Sequence, residues 1–392
     1  MILQRKMELK MVIFLDKNID MGIDWLLNSG IQNVSGKHSG GFNGWYDVDN
    51  KIYPFVYSEI TGYGITSLLF LNLVRKGEIF VQHAEKAAEW IIKQAMHSCG
   101  GVRARAYTIT SDKMYSFENN ILYIFDNGMV LPALVNLYTN TKKEQYLNTA
   151  IEIGNFLLSM QKDDGFFYAA YNASNNTTMD NQEKWSSQSG SYHAKLAIGL
   201  IDLYNATKNE AFLQSALKIC NASLEQQQGD GRFVTQQNEK STHMHPHCYS
   251  AEGLLYAGTV LKEDKFIQSA GDAIKWALVN QLPNGGMPCK FVDGKFISHE
   301  RSDTLAQVLR LATYLRSIGL MDDDTDIENL KSRLVQFQKT EGEHKGGFFY
   351  GTELDGTGRN HINSWCSMFS LQSLIMHSYF KNRSKIGLNL FI

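Results

Sequence analysis

A Gly-rich turn followed by an apolar or aromatic residue recurs six times in this chain, and that recurrence limits the folds available to it. The turns are Gly40-Gly-Phe42, Gly100-Gly-Val102, Asp164-Gly-Phe166, Asp230-Gly-Arg-Phe233, Gly285-Gly-Met287 and Gly346-Gly-Phe348. Five of them follow an amphipathic stretch that usually ends near a glutamine, as at Gln161 and Gln338. Glycine allows the positive φ that stops a helix. Intervals of about 60 residues indicate a repeat in which each unit packs on its neighbours.

A second, more apolar helix is predicted after each turn. The six segments are 57–74, 124–138, 192–204, 249–261, 303–315 and 365–377. Helices that are apolar all round need cover on both sides, whereas amphipathic helices keep one face in water. We therefore predict an all-α (α/α)6 toroid of six helical hairpins, as one domain over residues 1–392 with the repeats at about 17–380. Short β-hairpins are expected in the loops on one face, at Gly347–Tyr350 and Lys290–Val292.

Composition excludes several classes of partner. The net charge of −2 offers no electrostatic basis for binding nucleic acid or an anionic membrane. The five cysteines lie far apart without a CxxC pair, which suits a reducing compartment and predicts neither a zinc knuckle nor a disulfide framework. Charges interrupt the first apolar run, so neither a signal peptide nor a membrane helix is expected there. These features predict a cytoplasmic protein.

Polar residues concentrate where the apolar helices begin. Aligning these helices places six residues in equivalent positions at one end of the ring: Glu59, Asp126, Tyr192, Tyr249, Asp303 and Trp365. Polar groups on a buried helix are costly unless they face a cavity, and helix N-termini add positive potential. Carboxylates and imidazoles beside aromatic rings suit sugars, which stack on rings and donate hydroxyl hydrogen bonds. A carbohydrate site at the mouth of the ring is predicted.

Candidate residues follow from this layer. The catalytic candidates are Asp126, Asp303, Glu59, His247 and Tyr192, and the substrate-binding candidates are Tyr63, Glu118, Trp185, Gln188, His193, Tyr249, Glu252, Arg301, His361 and Trp365. Structural roles compete with each assignment. Asp126 could cap its helix, Glu59 could pair with an arginine, and Asp303 could bridge to Arg301.

Signals for metals and cofactors are weak. His243, His245 and His247 alternate, which would place three imidazoles on one side of an extended segment, but no acidic or cysteine partner is assignable. The acidic run 322–326 matches the DDxxD pattern of terpene synthases, yet it precedes a helix predicted from about Ile327 and fits an N-capping loop. No phosphate-binding glycine loop is present. No metal and no cofactor are predicted.

The repeat resembles the six-hairpin glycosidase superfamily over residues 17–380. That superfamily includes unsaturated glucuronyl hydrolases, N-acylglucosamine 2-epimerase-like enzymes, polysaccharide lyases and the helical domain of glucuronyl C5-epimerases. Four fragments are also similar to toroid proteins of surface-polysaccharide gene clusters: Tyr57-Ser-Glu-Ile-Thr-Gly-Tyr63, Phe125-Asp-Asn-Gly-Met-Val130, Gly190-Ser-Tyr-His-Ala194 and His247-Cys-Tyr-Ser-Ala-Glu-Gly253. Unsaturated glucuronyl hydrolases use Asp residues where inner helices start, and the resemblance assigns Asp126 and Asp303 to that role.

Two reactions compete. The first is hydrolysis of an oligosaccharide, including one that contains a uronic acid, with Asp126 as the acid and Asp303 or Glu59 as the second carboxylate. Arg301 and histidines would then hold the sugar. The second is epimerisation or elimination, in which Tyr192, His193, Tyr249 or His247 removes a proton. A sugar-binding module and a non-carbohydrate toroid are further alternatives. An oligosaccharide or polysaccharide is the expected partner, and the oligomeric state stays open.

Overall fold

Twelve α-helices lie in the part of the chain that the computed structural model describes, residues 16–109, 115–181, 183–321, 325–382, 384, 387–388 and 390–392. The outer helices are α1 (Lys17–Asn28), α3 (Glu78–Trp90), α5 (Glu144–Ser159), α7 (Glu210–Leu224), α9 (Asp264–Val279) and α11 (Thr325–Val335). The inner helices are α2 (Ser58–Arg75), α4 (Ile124–Thr141), α6 (Leu196–Thr207), α8 (Met244–Leu261), α10 (Ser302–Ser317) and α12 (Ser364–Lys381). A π-helical turn, Ile91–Ala95, extends α3, and a 3-10 segment, Ser191–Lys195, leads into α6.

The two sets of helices differ in burial as their sequences predict. Every residue of α8 from Met244 to Gly258 is buried, whereas α3 buries only the stripe of Phe80, Ala84, Ala87, Ala88 and Trp90. An amphipathic helix can hide one face only, so it must stand outside a helix that is apolar all round. The alternation confirms the predicted (α/α)6 toroid.

Each Gly-rich turn packs against the outer helix of the next repeat. One glycine in each turn has a positive φ. The values range from +85° at Gly285 to +98° at Gly346, and the other four lie in between. A Cβ at Gly231 would lie 2.5 Å from the carbonyl oxygen of Asp272 in the next outer helix. A glutamine side chain completes the junction, because Gln161 Nε2 donates to the carbonyls of Gly165 (2.9 Å) and Ser215 (3.0 Å). Gln32, Gln227 and Gln338 make the same pair of bonds.

The ring closes between the sixth hairpin and the first. A Cβ at Gly346 would lie 1.9 Å from the carbonyl oxygen of Met21 in α1. Gln338 Nε2 donates to the carbonyl of Asn18 at 2.8 Å. These contacts repeat the junction seen between consecutive hairpins, so the last repeat uses the first as its neighbour.

Short antiparallel strands lie on the face where the inner helices begin. They are β1 (Trp45–Asp47), β2 (Phe55–Tyr57), β3 (Arg105–Tyr107), β4 (Ile121–Tyr123), β5 (Ala170–Asn172), β6 (Thr177–Met179), β7 (Thr242–His243), β8 (Lys290–Val292), β9 (Lys295–Ile297), β10 (Phe348–Thr352) and β11 (Gly358–Asn363). The sheet orders are β1-β11-β10, β2-β3, β4-β5-β6 and β7-β8-β9. Strands β2, β4, β7 and β11 each run directly into an inner helix. The hairpins predicted at Lys290 and Gly347 are confirmed.

The predicted start of α8 is wrong. The helix begins at Met244 rather than at Tyr249, because Pro246 falls in the first turn, where a missing backbone N–H costs nothing. His245 is therefore the second residue of its helix, as Glu59 and Asp303 are of theirs. Tyr249 lies about one turn deeper.

Some expectations concern residues outside the described ranges. These are the first 15 residues, for which no signal peptide is expected, and 322–324 of the acidic run. Helix α11 includes the last two residues of that run, since its described residues start at Thr325. Among the described residues, no helix has both the length and the apolar character needed to cross a bilayer.

Candidate active site

A pocket opens on the face where the inner helices begin, with about 760 Å³ of space that no protein atom fills. Its lining residues are Tyr57, Glu59, Arg105, Tyr115, Tyr123, Phe125, Asp126, Trp185, Ser186, Tyr192, His245, Tyr249, Arg301 and Trp365. Aromatic rings dominate the walls, and the titratable groups are two carboxyl groups, two guanidinium groups and one imidazole. Of the predicted site residues, the pocket contains Glu59, Asp126, Trp185, Tyr192, Tyr249, Arg301 and Trp365.

Glu59 and Asp126 form a pair of carboxyl groups at the starts of α2 and α4. The Tyr57 hydroxyl lies between them, 3.2 Å from Asp126 Oδ1 and also hydrogen bonded to Glu59, so its single hydrogen serves one carboxyl group at a time. The other oxygen, Asp126 Oδ2, is buried and has no hydrogen-bond partner within the described protein. The hydrogen-bonding capacity of this oxygen is therefore unused within the described protein.

The environment separates the acidities of these two groups. Burial, followed by the negative charge of Glu59, raises the pKa of Asp126 well above its ordinary value. Burial also raises the pKa of Glu59, but hydrogen bonds from Tyr57 and Tyr63 and the charge of Arg105 oppose it. Two neighbouring carboxylates resist simultaneous ionisation, so Asp126 is the one that keeps a proton.

Arg105 holds a cation beside this pair. Its guanidinium carbon lies 4.5 Å from the ring centroids of Phe55 and Tyr115 and 4.6 Å from that of Tyr57. Its Nε is buried without a hydrogen-bond partner among the described residues. The rings fix the guanidinium in place, and Nε is left able to donate to an oxygen in the pocket.

Asp303 supports the pocket from behind rather than lining it. The side chain is fully buried, and its oxygens accept from Arg301 Nε (3.1 Å), Arg301 Nη2, the Thr304 N–H (2.7 Å) and Trp365 Nε1 (2.9 Å). Burial is the largest single effect and raises the pKa of Asp303, but the charge of Arg301, together with His245 and the hydrogen bonds from Arg301 and Trp365, lowers it to about 2. The predicted bridge between Asp303 and Arg301 is therefore present, and this carboxylate orients two pocket residues.

His245 brings an imidazole to the pocket. Its Nδ1 lies 2.6 Å from Gln307 Oε1 and 3.6 Å from Asp303 Oδ2. Burial lowers the pKa of His245 to about 4, so the ring is neutral at physiological pH. The His245 ring packs on the Tyr249 ring, with 4.4 Å between the two centroids.

A buried ionic cluster lies beneath the pocket. Glu252 contacts Lys195 Nζ at 2.8 Å and accepts a hydrogen bond from Arg310. Above it, the Tyr63 and Tyr249 hydroxyls are hydrogen bonded at 3.1 Å, and Lys195 Nζ lies 4.3 Å from the Tyr249 ring centroid. Buried charges persist when they are paired, and this cluster forms the floor of the pocket.

Several predicted residues lie outside the pocket. His247 is fully buried between α8 and α9, where Nδ1 accepts from the Phe233 N–H and Nε2 donates to the Ala273 carbonyl. His193 is also fully buried, against Phe167 and Tyr192. The catalytic role predicted for His247 is not supported by this placement, because both of its ring nitrogens are taken up by the backbone.

The remaining predicted residues lie beneath the pocket or away from it. Glu252 belongs to the floor cluster, Gln188 accepts from the Gln237 N–H, and the ring of His361 stacks on Trp45 at 4.7 Å. Glu118 lines a separate depression with Arg103. None of these side chains is among those that line the pocket.

Seven residues that line the pocket are absent from the candidates predicted from the sequence: Tyr57, Arg105, Tyr115, Tyr123, Phe125, Ser186 and His245. Arg105 and Tyr115 come from the loop that precedes α4, where the predicted helices offer no register. Alternation predicts an extended segment around His245, and only the correct start of α8 places this residue in the layer. The signal for it is Pro246, which fits the first turn of a helix.

The three alternating histidines diverge. His243 Nε2 bonds to Gln236 Oε1 at 3.0 Å, His245 faces Gln307, and His247 is in the core. The backbone passes from strand to helix after His243, so alternation does not place the imidazoles on one side. Within the described residues, no group of three metal-ligating side chains is assembled.

A closed ring of six helical hairpins, with an aromatic pocket and paired carboxyl groups at the inner-helix starts, defines the class of six-hairpin glycosidase-like toroids. The model of glycosyl hydrolase family 76 matches residues 69–280, more than half of the chain, and the protein belongs to that family. The matched region contains Asp126, Tyr192 and His245. Family and fold together mark the chain as a carbohydrate-active enzyme.

Solved structures agree with this fold. A sugar epimerase from a ruminal bacterium superposes with a TM-score of 0.75 at 10% identity, covering 94% of this chain and 100% of that one. Cellobiose 2-epimerase from Bacillus thermoamylovorans B4167 gives 0.72 at 12%, covering 91% and 98%. An unsaturated glucuronyl hydrolase specific for heparin gives 0.65 at 11%, covering 93% and 97%. No curated protein sequence matches the chain significantly.

Proposed function

We propose that the protein is a glycoside hydrolase acting on an oligosaccharide, with Asp126 as the proton donor and Glu59 as the second carboxylate. The observation that carries the proposal is the Glu59–Asp126 pair, in which the buried Asp126 Oδ2 has no partner among the described residues. Glycoside hydrolysis needs one carboxyl group that is protonated and another that is ionised. The environment of this pair supports that division.

The chemistry follows from these assignments. Asp126 gives its proton to the glycosidic oxygen as the bond from that oxygen to the anomeric carbon breaks. Glu59 stabilises the positive charge that develops on the sugar, either by attacking the anomeric carbon or by taking a proton from an attacking water. The first route retains the anomeric configuration and the second inverts it, so NMR of the first product formed distinguishes them.

Other pocket residues bind the sugar. The indoles of Trp185 and Trp365 offer faces for stacking. Two nitrogens of Arg301 are engaged by Asp303, so Arg105 with its unpartnered Nε is our candidate for an acidic substituent, where the substrate carries one. Asp303 is accordingly proposed as a support for Arg301 and Trp365 rather than as the second carboxylate.

The test is turnover of a panel of 4-nitrophenyl glycosides and unsubstituted oligosaccharides. Asp126→Asn should lose at least about a thousandfold in kcat on oligosaccharides, and less on 4-nitrophenyl glycosides, whose leaving group needs little protonation. Glu59→Gln should lose activity on both. Glu118→Gln, outside the pocket, is the control that should stay active. Full turnover by Asp126→Asn would sink the proposal.

A second candidate, epimerisation, is favoured by one observation. His245 is neutral at physiological pH and borders the pocket, so it is able to take a proton from a sugar carbon. The tyrosines first suggested for that role fit it less well, because burial raises the pKa of Tyr192 and its hydroxyl donates to the Gln188 carbonyl at 2.9 Å. Deuterium uptake from solvent into a sugar recovered without cleavage would establish epimerisation instead of hydrolysis.

A further inference from the structure

His245 lines the pocket, and its orientation is set by a hydrogen bond on the side of the ring that faces away from the pocket. Its Nδ1 is 2.6 Å from Gln307 Oε1. Gln307 is fully buried, and its Nε2 donates to Glu252 Oε1 at 3.1 Å. One amide therefore bridges an imidazole of the pocket and a carboxylate of the floor.

The ionic cluster decides which way the amide points. Glu252 is held ionised by Arg310 and Lys195, whose charges outweigh burial and lower its pKa. A carboxylate accepts hydrogen bonds only, so the amide nitrogen of Gln307 must face Glu252. Its oxygen must then face His245, and that oxygen is also an acceptor only.

This chain of donors and acceptors fixes the imidazole tautomer. Nδ1 has to carry the hydrogen, since both groups near it, Gln307 Oε1 and Asp303 Oδ2, are acceptors. In a neutral ring the lone pair is then on Nε2. Because Nδ1 is turned to Gln307, Nε2 is the ring nitrogen left for the pocket.

We propose that Gln307 is a positioning residue that fixes His245 as a hydrogen-bond acceptor for a sugar hydroxyl. The part about the hydroxyl rests on the proposed glycosidase function, whereas the tautomer does not. Glu252, Lys195 and Arg310 orient His245 through this amide. The cluster beneath the pocket thereby sets one element of substrate recognition.

The tautomer is tested in the free protein by NMR of protein labelled with 15N in histidine, with His245→Gln assigning the signal. Wild-type His245 should show a protonated Nδ1 and a bare Nε2. Gln307→Met should give a mixture of tautomers, and Gln307→Glu, which restores an acceptor oxygen, should return the wild-type pattern. Gln372→Met is the matched control, since Gln372 is equally buried but contacts Arg310 from the other side. A protonated Nε2 in the wild type, or an unchanged spectrum in Gln307→Met, overturns the proposal.

Recognition is tested with the 4-nitrophenyl glycoside that the wild-type protein cleaves fastest. His245→Gln keeps an acceptor oxygen near the position of Nε2, whereas His245→Phe removes it. His245→Phe should raise KM by about tenfold. Gln307→Met and His245→Gln should raise it by smaller factors, because each keeps part of the acceptor, and Gln372→Met should change it little. Equal KM values for His245→Phe and wild type would refute the acceptor role. Absence of turnover in the wild type would instead count against the glycosidase function and leave the NMR result standing.

Discussion

The Tyr57 hydroxyl donates to Asp126 across 3.2 Å and links the end of β2 to the first turn of α4. This bond and its contact with Glu59 lower the pKa of both carboxyl groups, against the larger effect of burial. The hydroxyl therefore influences the pH range in which Asp126 is protonated while Glu59 is ionised.

Tyr57→Phe should move the pH–rate profile upward. Activity falls at low pH as Glu59 takes up a proton and at high pH as Asp126 loses one, and both pKa values rise without the hydroxyl. Both limbs of kcat against pH should shift to higher pH, with less than about a tenfold loss at the optimum. Tyr123→Phe removes another buried hydroxyl of the pocket and should leave the limbs in place. A downward shift of either limb would contradict the assignment.

Asp303→Asn should act through stability and binding rather than through chemistry. It leaves the largely buried Arg301 without its ion pair, so we expect a loss of about 3 kcal/mol in the free energy of unfolding. The carboxyl has a pKa of about 2 in the fold and an ordinary value of 3.8, so its contribution is present above pH 4 and is lost toward pH 2. Urea denaturation at several pH values measures both effects. A kcat loss as large as that of Asp126→Asn, with KM and stability unchanged, would make Asp303 catalytic after all.

Gly346→Ala should destabilise the ring at its closure. The new Cβ would meet the Met21 carbonyl oxygen at 1.9 Å, and the backbone has φ +98°. Gly342 separates the two causes, because it has φ +67° and no atom lies within 4 Å of the position that its Cβ would take. Gly342→Ala should cost about 1 kcal/mol from its backbone alone, and Gly346→Ala at least about 3 kcal/mol. Thermal unfolding compares them, and equal losses would argue against a packed closure.

Asp202→Asn should flatten the stability of the protein between pH 4 and 6. Burial raises the pKa of Asp202 to about 6, although Tyr256 and Asn136 donate to it. The folded protein therefore binds a proton that the unfolded chain has released, and stability from this group falls as pH rises from 4 to 6, by at most about 3 kcal/mol. The difference between wild-type and variant urea midpoints across this range isolates the group. A wild-type protein that gains stability over the variant as pH rises would reverse the sign and refute the assignment.

The fold was accessible from the sequence because its cause is local and repeated. Gly285 and Gly346 mark turns whose positive φ suits glycine, and the apolar character of α8 from Met244 onward requires cover on every side. Neither inference needs a distant contact. Periodicity and turn chemistry therefore predicted the toroid and the face that carries the site.

The site was only partly accessible, since its residues come from loops and from different helices. Asp126 and Glu59 followed from their positions in the inner-helix layer, but His247 has the same residue type as His245 and a wholly different environment. A step of two positions along α8 rotates the side-chain direction by more than half a turn, which takes it from the pocket into the core. A register error of a few residues is enough to exchange them.

The sequence by itself thus determined the six hairpins and the layer in which polar groups gather, because these depend on short-range periodicity. Only the tertiary structure decided which of those groups share a cavity. Glu59 and Asp126 are separated by an outer helix in sequence, yet one tyrosine hydroxyl contacts both. Asp303 occupies the same layer, but it lies behind the pocket lining, where it accepts hydrogen bonds from Arg301 and Trp365. The distinction rests on packing between hairpins, which sets burial, charge pairing and hence acidity.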